Sequence, residues 1–218
     1  MERILDAIEV RVLGCLVEKD LATPEYYPLT LNALTNACNQ KSNREPVMLL
    51  DETDVVRALD GLRSKQLAHQ SAEGVRAAKY CHNLEGQLQL DPEELAVLAE
   101  LLLRGPQTVG ELRNRAVRMC VVGDLQAVEE LLQNLAERET PLVIRLPRQP
   151  GRKEHRYAHL LAGVPNIEQI SSTIPEAARI QVQADDDRVS RLEAEVAVLR
   201  DGLEELRRQV AEFKSQFE

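Results

Sequence analysis

The feature that most constrains the fold of this chain is an internal repeat. Four short blocks of the first 84 residues recur in the same order between residues 85 and 164. Such a repeat indicates two copies of one structural unit, so we expect domains at residues 1–84 and 85–164. The matched residues are Leu5, Asp6, Glu9, Val12, Leu13 and Leu16 with Leu90, Asp91, Glu94, Val97, Leu98 and Leu101; Thr30, Leu34 and Asn36 with Thr108, Leu112 and Asn114; Asp51, Val55, Leu59 and Leu62 with Asp124, Val128, Leu132 and Leu135; and Lys79, Tyr80, His82 and Leu84 with Arg156, Tyr157, His159 and Leu161.

Three helices are predicted at the start of each copy. In the second copy, Asp91 and Glu94 have the spacing of a capping box, and so do Thr108 and Glu111. Asp124 is the expected N-cap of the third helix, because apolar residues follow it at helical spacing. The first copy has the same order of signals.

A β-hairpin is predicted at the end of each copy. Residues 66–70 and 78–84 in the first copy, and 141–146 and 156–161 in the second, have strand character on either side of turn residues. Three helices followed by a hairpin is the winged-helix arrangement, whose third helix commonly enters the DNA major groove while the hairpin contacts the backbone. The expected fold class is mainly α (α+β), with tandem winged-helix domains followed by a C-terminal coiled-coil helix.

The last part of the chain carries a heptad pattern. We expect a linker at residues 165–184 and a coiled-coil helix at 185–218, because apolar residues there alternate spacings of three and four. The pattern favours a homodimer, although an antiparallel pair or a helix folded back on its own protomer would have the same pattern. The expected dimerisation residues are Val189, Leu192, Val196, Leu199, Leu203, Leu206, Val210 and Phe213.

Composition narrows the classes of function. The net charge of −9, from 27 Lys and Arg against 36 Asp and Glu, excludes a uniformly basic nucleic-acid binder. No apolar run reaches the roughly 18 residues of a membrane span, and the N-terminus does not resemble a signal peptide. We therefore expect a cytoplasmic protein that has no membrane partner.

The histidines and cysteines predict no catalytic or metal site. No two of the four cysteines have CxxC spacing, and there is neither a glycine-rich phosphate loop nor a nucleophile elbow. His82 and His159 occupy equivalent positions of the repeat, which favours a shared structural role. Cys81 adjoins His82, but adjacent strand residues point to opposite faces. We expect a protein that is not an enzyme and needs no metal or cofactor.

Candidate contacts to double-stranded DNA lie in a polar loop, on the first copy's third helix and in the second hairpin. Asn and Gln pair well with adenine, Arg with guanine, and Lys with phosphate. The second hairpin turn is locally basic, which suits phosphate contacts, whereas polar loops often serve only local capping. The expected nucleic-acid-binding residues are Asn39, Gln40, Lys41, Asn43, Arg44, Arg57, Arg63, Arg148, Arg152 and Lys153.

The third helices argue against base reading, because they are acidic. The second one carries Glu129, Glu130 and Glu137 and has no basic residue before Arg138, and carboxylates repel phosphates. The alternative is a protein-interaction scaffold that docks a protein partner without binding DNA, with residues 22–46 as the docking surface. Salt separates the two, because phosphate contacts weaken steeply as salt rises.

One stretch resembles a known family. The segment TPEYYPLTLNAL at residues 23–34 leads into NACNQKSNREP at residues 36–46. Together these residues resemble the signature of the YceH family of uncharacterised bacterial proteins, and the resemblance extends over about residues 2–164. It implies tandem winged helices, and it implies no catalytic residue.

Overall fold

Helices dominate the computed structural model, which describes residues 4–72, 77–148 and 154–165. Within these ranges there are seven α-helices and two small antiparallel sheets. The elements are α1 (Ala7–Ala22), a 3-10 turn (Pro24–Tyr26), β1 (Leu29–Thr30), α2 (Leu31–Cys38), α3 (Glu52–Ser64), β2 (Ala68–Gln70), β3 (Lys79–His82), α4 (Leu84–Leu88), α5 (Pro92–Arg104), β4 (Gln107–Thr108), α6 (Val109–Ala116), α7 (Leu125–Glu137), β5 (Val143–Arg145) and β6 (Arg156–His159). The heptad segment with its eight expected dimerisation residues lies outside the described residues, as does the linker beyond Pro165.

The helix starts follow the predicted capping signals. The Asp6 carboxylate accepts a hydrogen bond from the Glu9 N–H at 2.8 Å, and the Glu9 carboxylate accepts one from the Asp6 N–H at 2.9 Å. The capping boxes predicted at Asp91 and Thr108 are confirmed. Asp124 caps α7 as expected. These caps satisfy N–H groups that the first helical turn leaves without a partner.

The two sheets have the same strand order and register. In the first sheet β3 lies between β1 and β2, and in the second β6 lies between β4 and β5. Leu29 pairs with Tyr80 in one sheet, and Gln107 pairs with Tyr157 in the other. Equivalent positions of the repeat therefore have equivalent neighbours. The short strands β1 and β4 were not predicted, because two residues are too few for a periodic signal.

The equivalent helices α1 and α5 form a core that the two copies share. Ten consecutive residues of α1, 9–18, and nine of α5, 95–103, are buried. A helix buried on every side needs neighbours all round, and α1 and α5 supply one another's largest contact. Gly14 marks the closest approach, since a Cβ there would lie 3.0 Å from the Leu102 Cβ. Residues 1–165 form one compact unit.

Candidate nucleic-acid interface

Arg44, a predicted DNA contact, lies inside the fold. The residue is 3% exposed, and its guanidinium forms two hydrogen bonds to the Glu18 carboxylate, at 3.0 and 2.5 Å. Burial would raise the pKa of Glu18, but the hydrogen bond from Arg44 and the charges of Arg44 and Arg118 lower it to about 2. The expectation that Arg44 contacts DNA bases is therefore wrong, because its guanidinium is already engaged by a buried carboxylate.

Two other polar residues of the same loop bind protein groups. The Asn39 side chain donates to the Leu50 carbonyl at 2.8 Å and accepts from the Leu50 N–H at 2.7 Å, so it closes the connection between α2 and α3. The Gln40 side-chain carbonyl accepts from Arg44 at 3.0 Å. The polar side chains here replace missing backbone partners, as buried polar groups must. This use leaves Asn39 and Gln40 poorly placed for reading bases.

The end of this loop joins the two copies. The Asn43 side-chain oxygen accepts a hydrogen bond from Arg104 of α5 at 3.0 Å, and the Glu45 N–H donates to the Leu103 carbonyl at 2.9 Å. Lys41 is exposed and has no hydrogen-bond or ion-pair partner in the described part of the chain. Of the five loop residues predicted to contact DNA, Lys41 is the one whose side chain has no such partner among the described residues.

Arg118 ties two buried carboxylates together across the copies. Its guanidinium lies 2.6 Å from a Glu18 oxygen on α1 and 2.7 Å from a Glu100 oxygen on α5. Both glutamates have fully buried side chains, and the second Glu100 oxygen has no hydrogen-bond partner in the described structure. This cluster was not predicted, although single glutamates within the apolar runs of α1 and α5 were a visible signal of it.

The third helices keep the charge pattern that the sequence predicts. On α7, Glu129 and Glu130 are exposed, and the helix contains no basic residue. On α3, Arg57 and Arg63 are exposed, and the Arg63 guanidinium lies 3.5 Å from the Asp60 carboxylate. A phosphate approaching either helix would meet carboxylates, although Arg57 and Arg63 remain accessible on α3.

The second hairpin presents two arginines to solvent. Arg145 and Arg148 are both exposed. The Arg148 Nε donates to His155 Nε2 at 3.0 Å. His155 Nδ1 lies 3.1 Å from the Leu146 carbonyl and donates to it, so the ring is held on the hairpin and in turn orients Arg148. Arg148 is thus accessible and oriented, as the prediction for this residue requires.

Of the other basic residues of this hairpin, one is paired with protein groups and two lie outside the described residues. Arg156 donates to the Pro106 carbonyl at 2.7 Å, and its guanidinium lies 3.2 Å from a Glu111 oxygen, so it joins β6 to the segment before α6. Arg152 and Lys153, which were predicted to contact phosphates, lie outside the described residues. Of the predicted hairpin contacts, Arg148 is the one that can be placed.

His82 and His159 have the same place in the sheets but different partners. His82 pairs with Ala68, its Nδ1 accepts from the Leu84 N–H at 3.3 Å, and its Nε2 lies 3.0 Å from the Asp20 carboxylate. In the second copy, Gly105 occupies the position equivalent to Asp20. The enclosed His159 Nδ1 has no hydrogen-bond partner among the described residues, and burial lowers the pKa of His159 to about 4.

This low pKa predicts that His159 destabilises the fold in mild acid. The unfolded chain binds the proton more tightly, since an unperturbed histidine has a pKa of 6.5. Stability is therefore lost as the pH falls from about 6.5 towards 4. The free energy of unfolding should fall between about pH 7.5 and about pH 5, and replacing His159 by glutamine should make this fall smaller by on the order of 1–2 kcal/mol. Urea unfolding of the wild type and the variant at both pH values measures the difference. Equal losses of stability in the two proteins would contradict the prediction.

A thiol and an imidazole meet on the first hairpin. Cys81 Sγ lies 3.0 Å from His69 Nε2 on the neighbouring strand. This contact was not predicted, because it joins residues that are 12 positions apart in the chain. Burial and the nearby Asp20 charge raise the pKa of Cys81, so the thiol is protonated at neutral pH. Within the described ranges, no three His, Cys, Asp or Glu side chains are grouped as metal ligands would be.

Comparison with other proteins identifies the family. Residues 5–152 match the profile of a family described as "Protein of unknown function, DUF480". A UPF0502 protein of Geobacter metallireducens is 68% identical over the full length of both chains. The chain belongs to the UPF0502 (DUF480) family. UPF0502 proteins of Geotalea uraniireducens and Geobacter sulfurreducens are 65% and 62% identical, again over the full length of both chains.

Membership of UPF0502 assigns no activity, since the family is uncharacterised. In the described part of this UPF0502 chain, no helix combines the length and apolar character that crossing a membrane requires. The family match extends over α1–α7 and β1–β5, and therefore over both third helices, the buried cluster at Arg118 and the exposed arginines of the second hairpin.

Proposed function

We propose that this UPF0502 chain is a non-enzymatic cytoplasmic protein with two winged helices that contacts the DNA backbone through its second hairpin. The observation that carries the proposal is the exposure of Arg145 and Arg148 beside α7, with no acidic partner in the described structure. Exposed arginines on a hairpin next to a third helix suit phosphate contacts. The resemblance of residues 22–46 to the YceH family supports the winged-helix assignment.

The element order also supports a tandem winged-helix fold. Each copy has a first helix, a short strand, two further helices and a hairpin, and the short strand joins the hairpin in a three-stranded sheet. In this proposal α3 and α7 are the helices that other winged-helix proteins insert into the major groove. Because α7 exposes carboxylates, we propose backbone contact with little sequence preference instead of base reading.

Salt dependence tests the DNA contact. We expect the wild-type chain to bind a fluorescein-labelled DNA duplex, with an affinity that falls steeply as salt rises. Replacing Arg145 and Arg148 by alanine should reduce the slope of log affinity against log salt by about two, one for each lost phosphate contact. Replacing Arg57 and Arg63 by alanine changes the net charge equally, and an equal fall of the slope in that variant would place the contact on α3 instead of the second hairpin. Absence of wild-type binding at low salt would remove the proposal.

A homodimer through the heptad segment belongs to the same proposal. Two copies of the second hairpin in one dimer would double the number of phosphate contacts, which raises affinity without new chemistry. Light scattering of the chain truncated after Ala184 tests this. A monomer is expected, whereas a surviving dimer would place the interface elsewhere.

Protein docking is the second candidate function. It is favoured by exposed apolar side chains at the start of α7, where Val121 is 87% and Leu125 is 53% exposed. Together with Glu129 and Glu130 they form a surface that would attract a basic, partly apolar partner better than DNA. The same titration separates the candidates, because a chain that docks only a protein partner should not bind the DNA duplex even at low salt.

A further inference from the structure

A groove of about 660 Å³ lies between the start of α6, the start of α7 and the second hairpin. Val109, Leu125 and Tyr157 supply apolar lining surface, and apart from its own helix and chain neighbours no described atom lies within 4 Å of the position that a Cβ at Gly110 would take. A volume of this size, with apolar walls and a few polar groups, is typical of sites for small molecules. The groove is open to solvent.

Charges of both signs line the groove without pairing. Arg145 and Arg148 represent one sign, and Glu129 and Glu154 the other. No ion pair joins any of these four residues to another described residue. Exposed charges in a protein usually gain little from pairing, but four unpaired charges around one concave surface leave two anion-binding and two cation-binding groups available to a ligand.

Two of these charges act on the same side chain. Burial raises the pKa of Tyr157, the Arg145 charge lowers it, and the Glu129 charge raises it. Opposite charges therefore face one lining hydroxyl at once. Arg148 is in turn held by the His155 ring, which also lines the groove. The arginine is oriented before any ligand arrives, which reduces the entropy cost of binding.

We propose that this groove binds a zwitterionic ligand with an apolar body, the chemistry of a short free peptide with apolar side chains. The carboxylate would be bound by Arg145 and Arg148, the ammonium by Glu129 and Glu154, and the side chains by Leu125 and Val109. A purely anionic ligand would leave both glutamates without a charged partner, and a purely cationic ligand would leave both arginines without one. This inference goes beyond the proposed DNA contact and is tested without DNA.

The probe is the dipeptide leucyl-leucine, measured by NMR chemical-shift titration of the full-length protein. We expect leucyl-leucine to bind with a dissociation constant in the millimolar range or below. The N-acetylated dipeptide lacks the ammonium group and the C-terminal amide lacks the carboxylate, and each should bind at least about tenfold more weakly, since each loses charge-assisted hydrogen bonds. Inorganic phosphate should perturb fewer groove residues, because it has no apolar body.

Matched variants assign each end of the ligand. Arg145→Ala with Arg148→Ala should abolish the preference for the free carboxylate, and Glu129→Gln with Glu154→Gln should abolish the preference for the free ammonium. Arg57→Ala with Glu52→Gln on α3 is the control and should preserve both preferences. The proposal is overturned if leucyl-leucine does not bind, if both capped forms bind as tightly as leucyl-leucine, or if phosphate alone reproduces the chemical-shift changes.

Discussion

Replacing Arg44 by alanine is expected to destabilise the folded chain by about 2–4 kcal/mol. The substitution removes two hydrogen bonds from the Glu18 carboxylate, whose side chain is 1% exposed, and leaves Arg118 and Lys19 as its charged partners. The folded-state pKa of about 2 shows how strongly its surroundings stabilise the charged form of Glu18. Removing one partner of a buried pair costs far more than removing an exposed arginine, because the remaining charge stays out of water.

Urea unfolding monitored by circular dichroism measures the effect. Arg57→Ala is the matched control, since Arg57 is exposed on α3 and its loss should change stability by less than about 0.5 kcal/mol. The double variant Glu18→Leu with Arg44→Leu removes both charges and should recover part of the stability lost in Arg44→Ala. A loss below about 1 kcal/mol for Arg44→Ala would show that the pair is not buried as described.

Replacing Gly14 by valine is expected to cost about 2–3 kcal/mol, because α1 and α5 would have to move apart. A Cβ at Gly14 would already lie 3.0 Å from the Leu102 Cβ and 3.0 Å from a Leu103 methyl carbon. The two γ carbons of valine extend further into this contact. Since the helices form the core that the copies share, the strain cannot be confined to one copy.

Gly110 provides the control for this experiment. It lies in the first turn of α6 with no atom within 4 Å of a Cβ, so Gly110→Ala should stabilise the chain by up to about 1 kcal/mol. The two substitutions add side-chain carbons to helical glycines and should have effects of opposite sign. Thermal unfolding compares them. A Gly14→Val variant as stable as the wild type would contradict the close packing of α1 on α5.

Local features of the fold were predictable because their causes are local. Asp124 and Thr108 start helices because the side chain of each accepts a hydrogen bond from a backbone N–H three residues later. The hairpins were predictable from alternating apolar and polar residues on either side of turn residues. The same signals occur in both copies of the repeat. The short strands β1 and β4 could not be predicted, because each has two residues and exists only through pairing with a hairpin that follows far along the chain.

The candidate site was harder to predict, because exposure is not a local property. Arg44 and Arg148 have the same side chain and both lie in polar segments. One is buried against Glu18, which is 26 residues earlier in the chain, and the other is exposed beside His155. Residue type indicates what a side chain can bind, whereas the packed neighbours decide whether its polar groups are already occupied.

The amino-acid sequence alone was enough to establish the repeat, the helix starts, the hairpins and the acidity of α7, since these depend on residue order over short distances. Tertiary packing decided how the copies combine and which polar residues remain available. Helices α1 and α5 are both buried and are each other's largest packing partner, and the Glu18–Arg118–Glu100 cluster joins them. The reason is that burial and charge pairing arise between residues far apart in the chain, so their outcome exists only once the core has formed.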